Sequence, residues 1–205
     1  MGHLLHTTGI LEPLDAVRAR VFLRPGDWLV GLGPHEVSTL LGSCVSVVLW
    51  APKQKIGGMC HCLLPHRPPH LKDEAARSPG HYVDEALTWM TQTMQRSGVH
   101  LPDLQITLAG GGRCADSNIG NLNVQAARGW LAHKGLRPHR TDVGEAVVRK
   151  LKWQLATGEL EITASTRSNL EGARHGIDTH SGDGGGRLGG GAPGDRRAVV
   201  SRSRD

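Results

Sequence analysis

The chain has 205 residues and a net charge of +5, and its length suits one domain with a full hydrophobic core. Seven of its arginines follow residue 166 with no aromatic residue among them. The positive charge therefore lacks the stacking surface that single-stranded nucleic acids need, which argues against nucleic-acid binding. No apolar stretch reaches the roughly 18 residues of a membrane helix, and the first residues lack the pattern of a secretory signal. We expect a cytoplasmic protein with no membrane insertion.

The first elements are short strands followed by a hairpin. Residues 21–31 predict a strand, a turn and a second strand. The valine-rich run that ends at Trp50 predicts a buried strand beginning near Cys44, and residues 56–64 predict its antiparallel partner. In such a pair, a residue that begins the first strand lies opposite one near the end of the second, so Cys44 and His61 are expected to be neighbours.

Two helices and further strands follow. Residues 66–81, rich in proline and histidine, predict an exposed loop. Residues 83–95 place apolar side chains on one helical face, and residues 121–134 predict a second helix. The remaining predicted strands are residues 104–108, 137–143, 147–155 and 160–163, of which the last two are joined by a hairpin turn at Thr157 and Gly158. This pattern is typical of an α+β fold made mostly of strands, with two packing helices.

Composition divides the chain into three parts. Residues 1–20 are expected to form an N-terminal extension, and residues 21–163 the folded domain. Residues 164–205 are rich in glycine and arginine and lose all apolar periodicity. Such a segment cannot bury enough apolar surface to offset the entropy of ordering it, so we expect a disordered tail.

Cys44 and His61 are the candidate thiol and the candidate base. A nucleophilic cysteine must lose its proton, and a histidine at hydrogen-bond distance can take that proton. Gly42 and Ser43 precede Cys44, and such small residues permit a tight turn and the close approach of a substrate carbonyl. The alternative interpretation is that Cys44 is a small buried apolar residue in a strand, which is the usual place of a free cysteine.

The other cysteines favour a structural interpretation. Cys60 and Cys62 alternate with His61 along the predicted strand, so they are expected on the opposite face, in the core. The same alternation argues against one zinc ion bound by Cys60 and His61 together. Cys114 completes a set of four cysteines that we expect as free thiols in a reducing compartment. The glycines of residues 110–112 lie in neither a phosphate-loop nor a dinucleotide-binding pattern, and we expect no metal and no cofactor.

The residues around Cys44 and His61 resemble the CheD family, the chemoreceptor glutamine deamidases of bacterial and archaeal chemotaxis. The resemblance covers roughly residues 20–163 in unbroken order. Its motifs are LGSCV at 41–45, GGMCH at 57–61, GHYVDEA at 80–86, GG at 110–111, IGNLN at 119–123, DVG at 142–144 and TG at 157–158. One such motif is weak evidence, but several in register make the resemblance specific.

The resemblance implies a protein-glutamine glutaminase that acts on the cytoplasmic domains of chemoreceptors. Cys44 would attack the glutamine amide, His61 would carry the proton to the leaving ammonia, and water would hydrolyse the thioester to glutamate. In the family a threonine hydroxyl before the cysteine orients the histidine. Thr39 and Ser38 both precede Cys44 at a suitable spacing and point to opposite faces of a strand. The resemblance favours Thr39, with Ser38 as the alternative.

The resemblance also implies an oxyanion site, a fold and partners. Backbone N–H groups around Gly42 and Ser43 are the expected donors to the tetrahedral oxyanion. The expected fold has layered β-sheets flanked by two main helices and is similar to the cysteine-hydrolase fold of deamidating toxins. A second hypothesis is a non-catalytic regulatory module that binds the receptors or a CheC-type phosphatase.

Overall fold

The computed structural model describes residues 3–7, 10–14, 19–71, 78–113 and 117–166. Within these ranges the chain forms strands, two α-helices and short 3-10 turns. The strands are β1 (His3–Thr7), β2 (Ile10–Leu14), β3 (Arg20–Phe22), β4 (Trp28–Gly31), β5 (Glu36–Leu41), β6 (Val45–Ala51), β7 (Ile56–Cys60), β8 (Gln105–Gly110), β9 (Arg140–Val143), β10 (Val147–Gln154) and β11 (Leu160–Thr166); the helices are α1 (Val83–Arg96) and α2 (Ile119–His133).

The strands form two sheets. The large sheet has the order β2-β1-β4-β7-β6-β8-β9, and the small sheet has the order β11-β10-β5-β3. Most neighbours are antiparallel, and the two parallel pairs are β8 with β9 and β3 with β5. No helix of the described residues is both long enough and apolar enough to cross a membrane.

The described elements stack as three layers, with the large sheet in the middle. Both helices pack on one of its faces, over a core that includes Val47, Leu87 and Leu131. The small sheet covers the other face, and Val48 and Trp153 lie in the core between the two sheets. The α+β prediction is therefore confirmed, and both helices lie on the same side of the large sheet.

The central hairpin of the large sheet explains the valine-rich run in the sequence. Every residue of β6 and β7 is buried, because helices cover one face and the small sheet covers the other, so an alternating polar pattern is absent. Gly57 and Gly58 admit close neighbours: a Cβ on Gly57 would collide with the Trp153 ring. The predicted hairpin is confirmed, with Val48 paired to Met59 and a further bridge from Val45 to Cys62.

Most other predicted elements are confirmed within a few residues: both helices, β8, β9, and the last hairpin of β10 and β11. The buried strand predicted to begin near Cys44 is confirmed as β6, but the sequence analysis predicted no strand before it, and Leu40 and Leu41 belong to such a strand, β5. Residues 42–44 divide β5 from β6 and take the chain from the small sheet to the large one. The outward residues of β5, which include Glu36 and Ser38, are only partly buried, and their polarity disguised the strand.

The described strands extend beyond both ends of the predicted domain of residues 21–163. β1 pairs with β2 and with β4, so residues 3–7 and 10–14 extend the large sheet. β11 continues to Thr166. The predicted disordered tail lies almost entirely outside the described residues. In the predicted loop of residues 66–81, two 3-10 turns form at Pro69–Leu71 and Pro79–His81, and residues 72–77 lie outside the described part.

Candidate active site

Cys44 lies in a short connection, residues 42–44, which we call the Cys44 loop. Its three carbonyl groups are held by donors from two other elements. Gly112 N–H donates to Gly42 O and Gly111 N–H donates to Cys44 O, each at 2.8 Å, and the Asn123 side-chain amide donates to Ser43 O at 3.2 Å. These bonds fix the peptide planes that flank Cys44. Its side chain is partly buried and packs against the core between the two sheets.

The glycines after β8 allow this close approach to the Cys44 loop. Gly110 and Gly111 have φ angles of +104° and +62°, in the region that residues with a Cβ seldom adopt. A Cβ on Gly110 would also collide with Cys44 O. The sequence pattern at residues 110–112 thus serves backbone contact with the loop that carries Cys44.

His61 directly follows β7, and its backbone is still hydrogen-bonded to the segment that precedes β4. Its N–H donates to Asp27 O at 2.9 Å, and Gly26 N–H donates to His61 O at 2.8 Å. The hairpin register places Ser46 opposite His61 and Cys44 one step diagonal to it, on the same face. This is the face that looks toward the small sheet. The register therefore places Cys44 and His61 at diagonal positions on one face of the hairpin, and direct contact between their side chains stays a prediction.

Thr39, on the inward face of β5, contacts His61 across the layer between the sheets. Its Oγ1 lies 2.8 Å from His61 Nδ1 and donates to Leu23 O at 2.8 Å. Nδ1 also lies 3.3 Å from Leu23 O. A carbonyl oxygen can only accept, so this arrangement assigns the proton to Nδ1, which donates to Thr39. Nε2 then carries the lone pair, as a proton acceptor must.

This geometry distinguishes between the two hydroxyl groups, Thr39 and Ser38, that the sequence offers as partners of His61. Thr39 is fully buried and bonded to His61. The Ser38 hydroxyl, on the outward face of the same strand, is 3.4 Å from Val21 O. Of these two hydroxyl groups, only that of Thr39 is hydrogen-bonded to His61 among the described residues.

Burial also sets the charge of His61. Removal from water lowers the pKa of this imidazole below its usual value of 6.5, while the hydrogen bond to Leu23 O and the charge of Asp27 act in the opposite direction. The lowered pKa keeps the ring neutral near pH 7. A neutral ring with its lone pair on Nε2 is the form that can take a proton from a thiol.

Cys60 and Cys62 lie on the other face of the hairpin, as predicted. Both are fully buried in the core beneath the helices. A hydrogen bond with Cys60, together with burial, raises the pKa of the Cys62 thiol well above its usual range. A thiol of this kind is protonated and inert near pH 7. Cys114 lies outside the described residues.

The described histidines and acids do not gather into a metal site. No group of three or more metal-ligating side chains converges anywhere in the described part of the chain. His66 instead pairs with Asp84, with 2.9 Å between Nδ1 and Oδ2. His81 lies 3.1 Å through its Nδ1 from Ser78 O, and its ring packs on Gly26.

Several residues of this site are missing from the sequence prediction. Asn123, on the buried face of α2, donates to both Ser43 O and Leu63 O. Leu23 contributes only a backbone carbonyl, and no sequence pattern marks such a role. Asn123 had a usable signal, since a fully buried asparagine on a helix must find hydrogen-bond partners. Its burial is predictable from its spacing with Ala127 and Leu131.

Fold and site together define a three-layered α+β protein with a cysteine and a neutral, threonine-bound histidine between its two sheets. Comparison with known families gives a more particular assignment. Residues 63–164 match a family model described as CheD chemotactic sensory transduction. The chain belongs to the CheD family.

Curated relatives extend the match over Cys44 and His61. A Chromobacterium violaceum protein named probable chemoreceptor glutamine deamidase CheD 1 is 35% identical over 170 residues, covering 80% of this chain and 86% of that protein. A Maridesulfovibrio salexigens protein named probable chemoreceptor glutamine deamidase CheD is 39% identical over 155 residues, or 70% and 90% of the two chains. Bacillus licheniformis hypothetical protein YfiH aligns structurally with a TM-score of 0.33 and 11% identity over 54% of this chain and 46% of its own, too low for any argument.

Proposed function

We propose that this protein deamidates specific glutamine side chains of chemoreceptors to glutamate, in the cytoplasm. The relatives' names supply the substrate class. The observation that carries the chemistry is the 2.8 Å contact between Thr39 Oγ1 and His61 Nδ1, which leaves Nε2 of a neutral ring as a base on the face it shares with Cys44. A pair of this kind activates a thiol for attack on an amide carbon.

The proposed reaction has two halves. Cys44 Sγ attacks the glutamine amide carbon as His61 Nε2 takes the thiol proton, and a C–S bond forms. The tetrahedral intermediate then expels ammonia, which receives that proton from His61. In the second half His61 deprotonates a water that attacks the thioester, and the C–S bond breaks to release glutamate and restore the Cys44 thiol. The balance is one amide and one water for one carboxylic acid and one ammonia.

The Cys44 loop supports this reaction through the direction of its peptide groups. Ser43 O points to Asn123 and Gly42 O points to Gly112. In a planar trans peptide the following N–H points the opposite way. The N–H groups of Cys44 and Ser43 therefore point away from these anchors, and we assign them as donors to the oxyanion.

The same proposal covers the binding partners of the protein and the relationship of its fold to other enzymes. Chemoreceptor cytoplasmic domains are the proposed substrates, and a CheC-type phosphatase is a proposed regulatory partner. Residues 21–163 are proposed as the catalytic domain. The layered sheets with a cysteine and a histidine between them support a relationship to the cysteine-hydrolase fold of deamidating toxins.

The test is mass spectrometry of a recombinant chemoreceptor cytoplasmic fragment after incubation with the protein. Deamidation adds ~1 Da at each modified glutamine, the change that amide hydrolysis leaves. We expect this gain with the wild-type protein and none with Cys44→Ala or His61→Ala. Cys62→Ala is the matched control, because its thiol lies on the opposite face of the same hairpin, and it should retain activity.

Retained turnover in a folded Cys44→Ala variant would refute the mechanism. Absence of any gain with wild-type protein, across several receptor fragments, would instead favour the non-catalytic binding module. In that case, pull-down of a CheC-type phosphatase by both wild type and Cys44→Ala is the expected finding.

A further inference from the structure

Asn123 joins the two segments that carry the proposed reacting residues. One of its amide N–H groups donates to Ser43 O, next to Cys44, at 3.2 Å. The other reaches Leu63 O, two residues beyond His61, at 2.9 Å. Asn123 is fully buried, so these bonds are shielded from competition by water.

The hairpin needs such a link at this end. Its regular pairing ends at the bridge between Val45 and Cys62. Beyond that bridge the second strand turns away, and the N–H groups of Leu63 and Leu64 both donate to His81 O. The doubly bonded pair of Val45 and Cys62 is therefore the last backbone link between the two strands, and Cys44 lies just beyond it. The Asn123 amide spans the gap that the ladder leaves.

The same side chain controls the direction of the proposed oxyanion donor. Its bond to Ser43 O fixes the plane of the peptide between Ser43 and Cys44, and that plane includes the Cys44 N–H. Rotation of this peptide would turn the N–H away from the substrate and shift the thiol at the same time. Asn123 thus acts on the nucleophile and on the oxyanion donor through one bond.

From this arrangement we infer that Asn123 is a positioning residue for the reaction: it sets the distance between Cys44 and His61 and the direction of the Cys44 N–H. The inference rests on the proposed function for its chemical meaning. The unpartnered acceptor of the same side chain, Oδ1, is also buried among the described residues. A buried amide with one unsatisfied atom is costly, which makes its two donor bonds the feature of this side chain to test.

Two variants and one control test this role. Asn123→Asp keeps the shape of the side chain and, as a carboxylate, has no donor proton, whereas Asn123→Ala removes the whole group. Ala127→Gly is the control: Ala127 is fully buried on the same face of α2, one turn further on, and packs in the core beneath the helices. Circular dichroism and thermal unfolding identify the variants that fold.

Deamidation kinetics and alkylation of Cys44 provide two independent readouts. We expect kcat on the receptor fragment to fall about 10- to 100-fold in both Asn123 variants, as lost positioning bonds would produce, with KM changed less than about 3-fold. Alkylation by iodoacetamide, mapped to Cys44 by peptide analysis across a pH series, should slow and move its midpoint to higher pH. Ala127→Gly should match the wild-type protein in both readouts.

A Cys44 alkylation profile in folded Asn123→Asp that equals the control overturns the inference, whatever the deamidation assay gives. A wild-type protein that deamidates no receptor fragment, but whose Cys44 alkylation still depends on Asn123, refutes the proposed function and supports the positioning role. The two failures are therefore distinguishable.

Discussion

At the scale of single residues, the Thr39 hydroxyl determines what His61 can do. Its one proton goes to Leu23 O, at 2.8 Å, so only its lone pairs face the imidazole. Nδ1 must then be the protonated nitrogen, and Nε2 the basic one. A ring of this tautomer can take a proton without first rotating, which is the requirement of a general base.

Replacement of Thr39 by valine tests this role, because valine keeps the branched shape and removes the hydroxyl. In this variant the Nδ1–H group of His61 would keep only Leu23 O as a hydrogen-bond acceptor, at 3.3 Å. A hydrogen bond to a ring that becomes charged is worth about 1.5–3 kcal/mol, so we expect kcat to fall roughly 10- to 100-fold. Steady-state deamidation assays measure it.

Ser38→Ala is the control for this prediction, since the Ser38 hydroxyl bonds only weakly to Val21 O. It should have wild-type kcat. Loss of activity in Ser38→Ala with normal activity in Thr39→Val would reverse the assignment of the orienting hydroxyl.

The lowered pKa of His61 predicts the acid limit of activity. In the proposed mechanism the active form is the neutral ring, and burial keeps it neutral below its usual pKa of 6.5. The fall of kcat/KM on acidification should therefore be centred below pH 6.5. Asp27 raises this pKa, so Asp27→Asn should move the acidic fall of kcat/KM to still lower pH; a shift to higher pH would contradict the role of its charge.

The lowered pKa of His61 also makes stability depend on pH. As the pH falls through 6.5, the unfolded chain takes up a proton on this histidine before the folded chain does, so acidification lowers the free energy of unfolding.

The sequence was sufficient for part of this site. Cys44 directly precedes β6 and His61 directly follows β7, and because the pairing of these two strands is a local property, the diagonal placement of the two residues was predictable. The choice between Ser38 and Thr39 depends on which face of β5 meets the other sheet, and β5 was not recognised as a separate strand. The Leu23 carbonyl and the Asn123 bridge depend on contacts across 38 and 60–80 residues of sequence, and such contacts leave no local pattern.

At the scale of elements, α2 supports the proposed active site through its first turn. Gly120 lies against the chain after β8, and a Cβ there would stand 2.6 Å from Gly112 O and 2.7 Å from Gly111 O. The N–H groups of those two glycines hold the Cys44 loop. Any displacement of residues 111–112 would therefore reach Cys44.

Two glycines of α2 provide a matched comparison. Gly120→Ala forces an overpacked contact with backbone that cannot move freely, and we expect it to cost about 1–3 kcal/mol of unfolding free energy and to lower kcat. Gly129 is exposed with nothing within 4 Å of a new Cβ. Gly129→Ala should stabilise the protein by about 1 kcal/mol through helix propensity alone, with activity unchanged. Urea unfolding and the deamidation assay measure both, and equal effects of the two substitutions would contradict the packing argument.

Elements with continuous burial were easier to predict than those with one exposed face. β6 and β7 are buried on both faces, and α1 has a regular apolar stripe, so each produces a strong pattern over its whole length. β5 has six residues that alternate between buried and exposed or partly buried positions, and the apolar residues at its end continue into the next strand's run. β1 gains its place by pairing with β4, a contact that the sequence of residues 3–7 does not reveal.

At the scale of the molecule, an ion pair with one buried member, Arg149, ties the two sheets together near the proposed active site. Arg149 on β10 of the small sheet is 2% exposed. Its guanidinium donates to Asp142 Oδ1 on β9 of the large sheet and to Gly144 O, both at 2.7 Å. Gly144 N–H in turn donates to Gly110 O, at the end of β8 that faces Cys44. The pair therefore fixes the separation of the layers between which Thr39 meets His61.

The two members of this pair should differ in their effect when replaced. Asp142→Ala leaves a buried guanidinium charge without its anion, which costs on the order of 3–5 kcal/mol. Arg149→Met keeps an apolar stem of similar length and leaves Asp142, a third of whose side chain is exposed, able to reach water, so it should cost less. The double variant should be no less stable than Asp142→Ala alone, because it removes the uncompensated charge. Urea unfolding of the three variants measures these differences, and strictly additive costs would show that the pair does not couple the sheets.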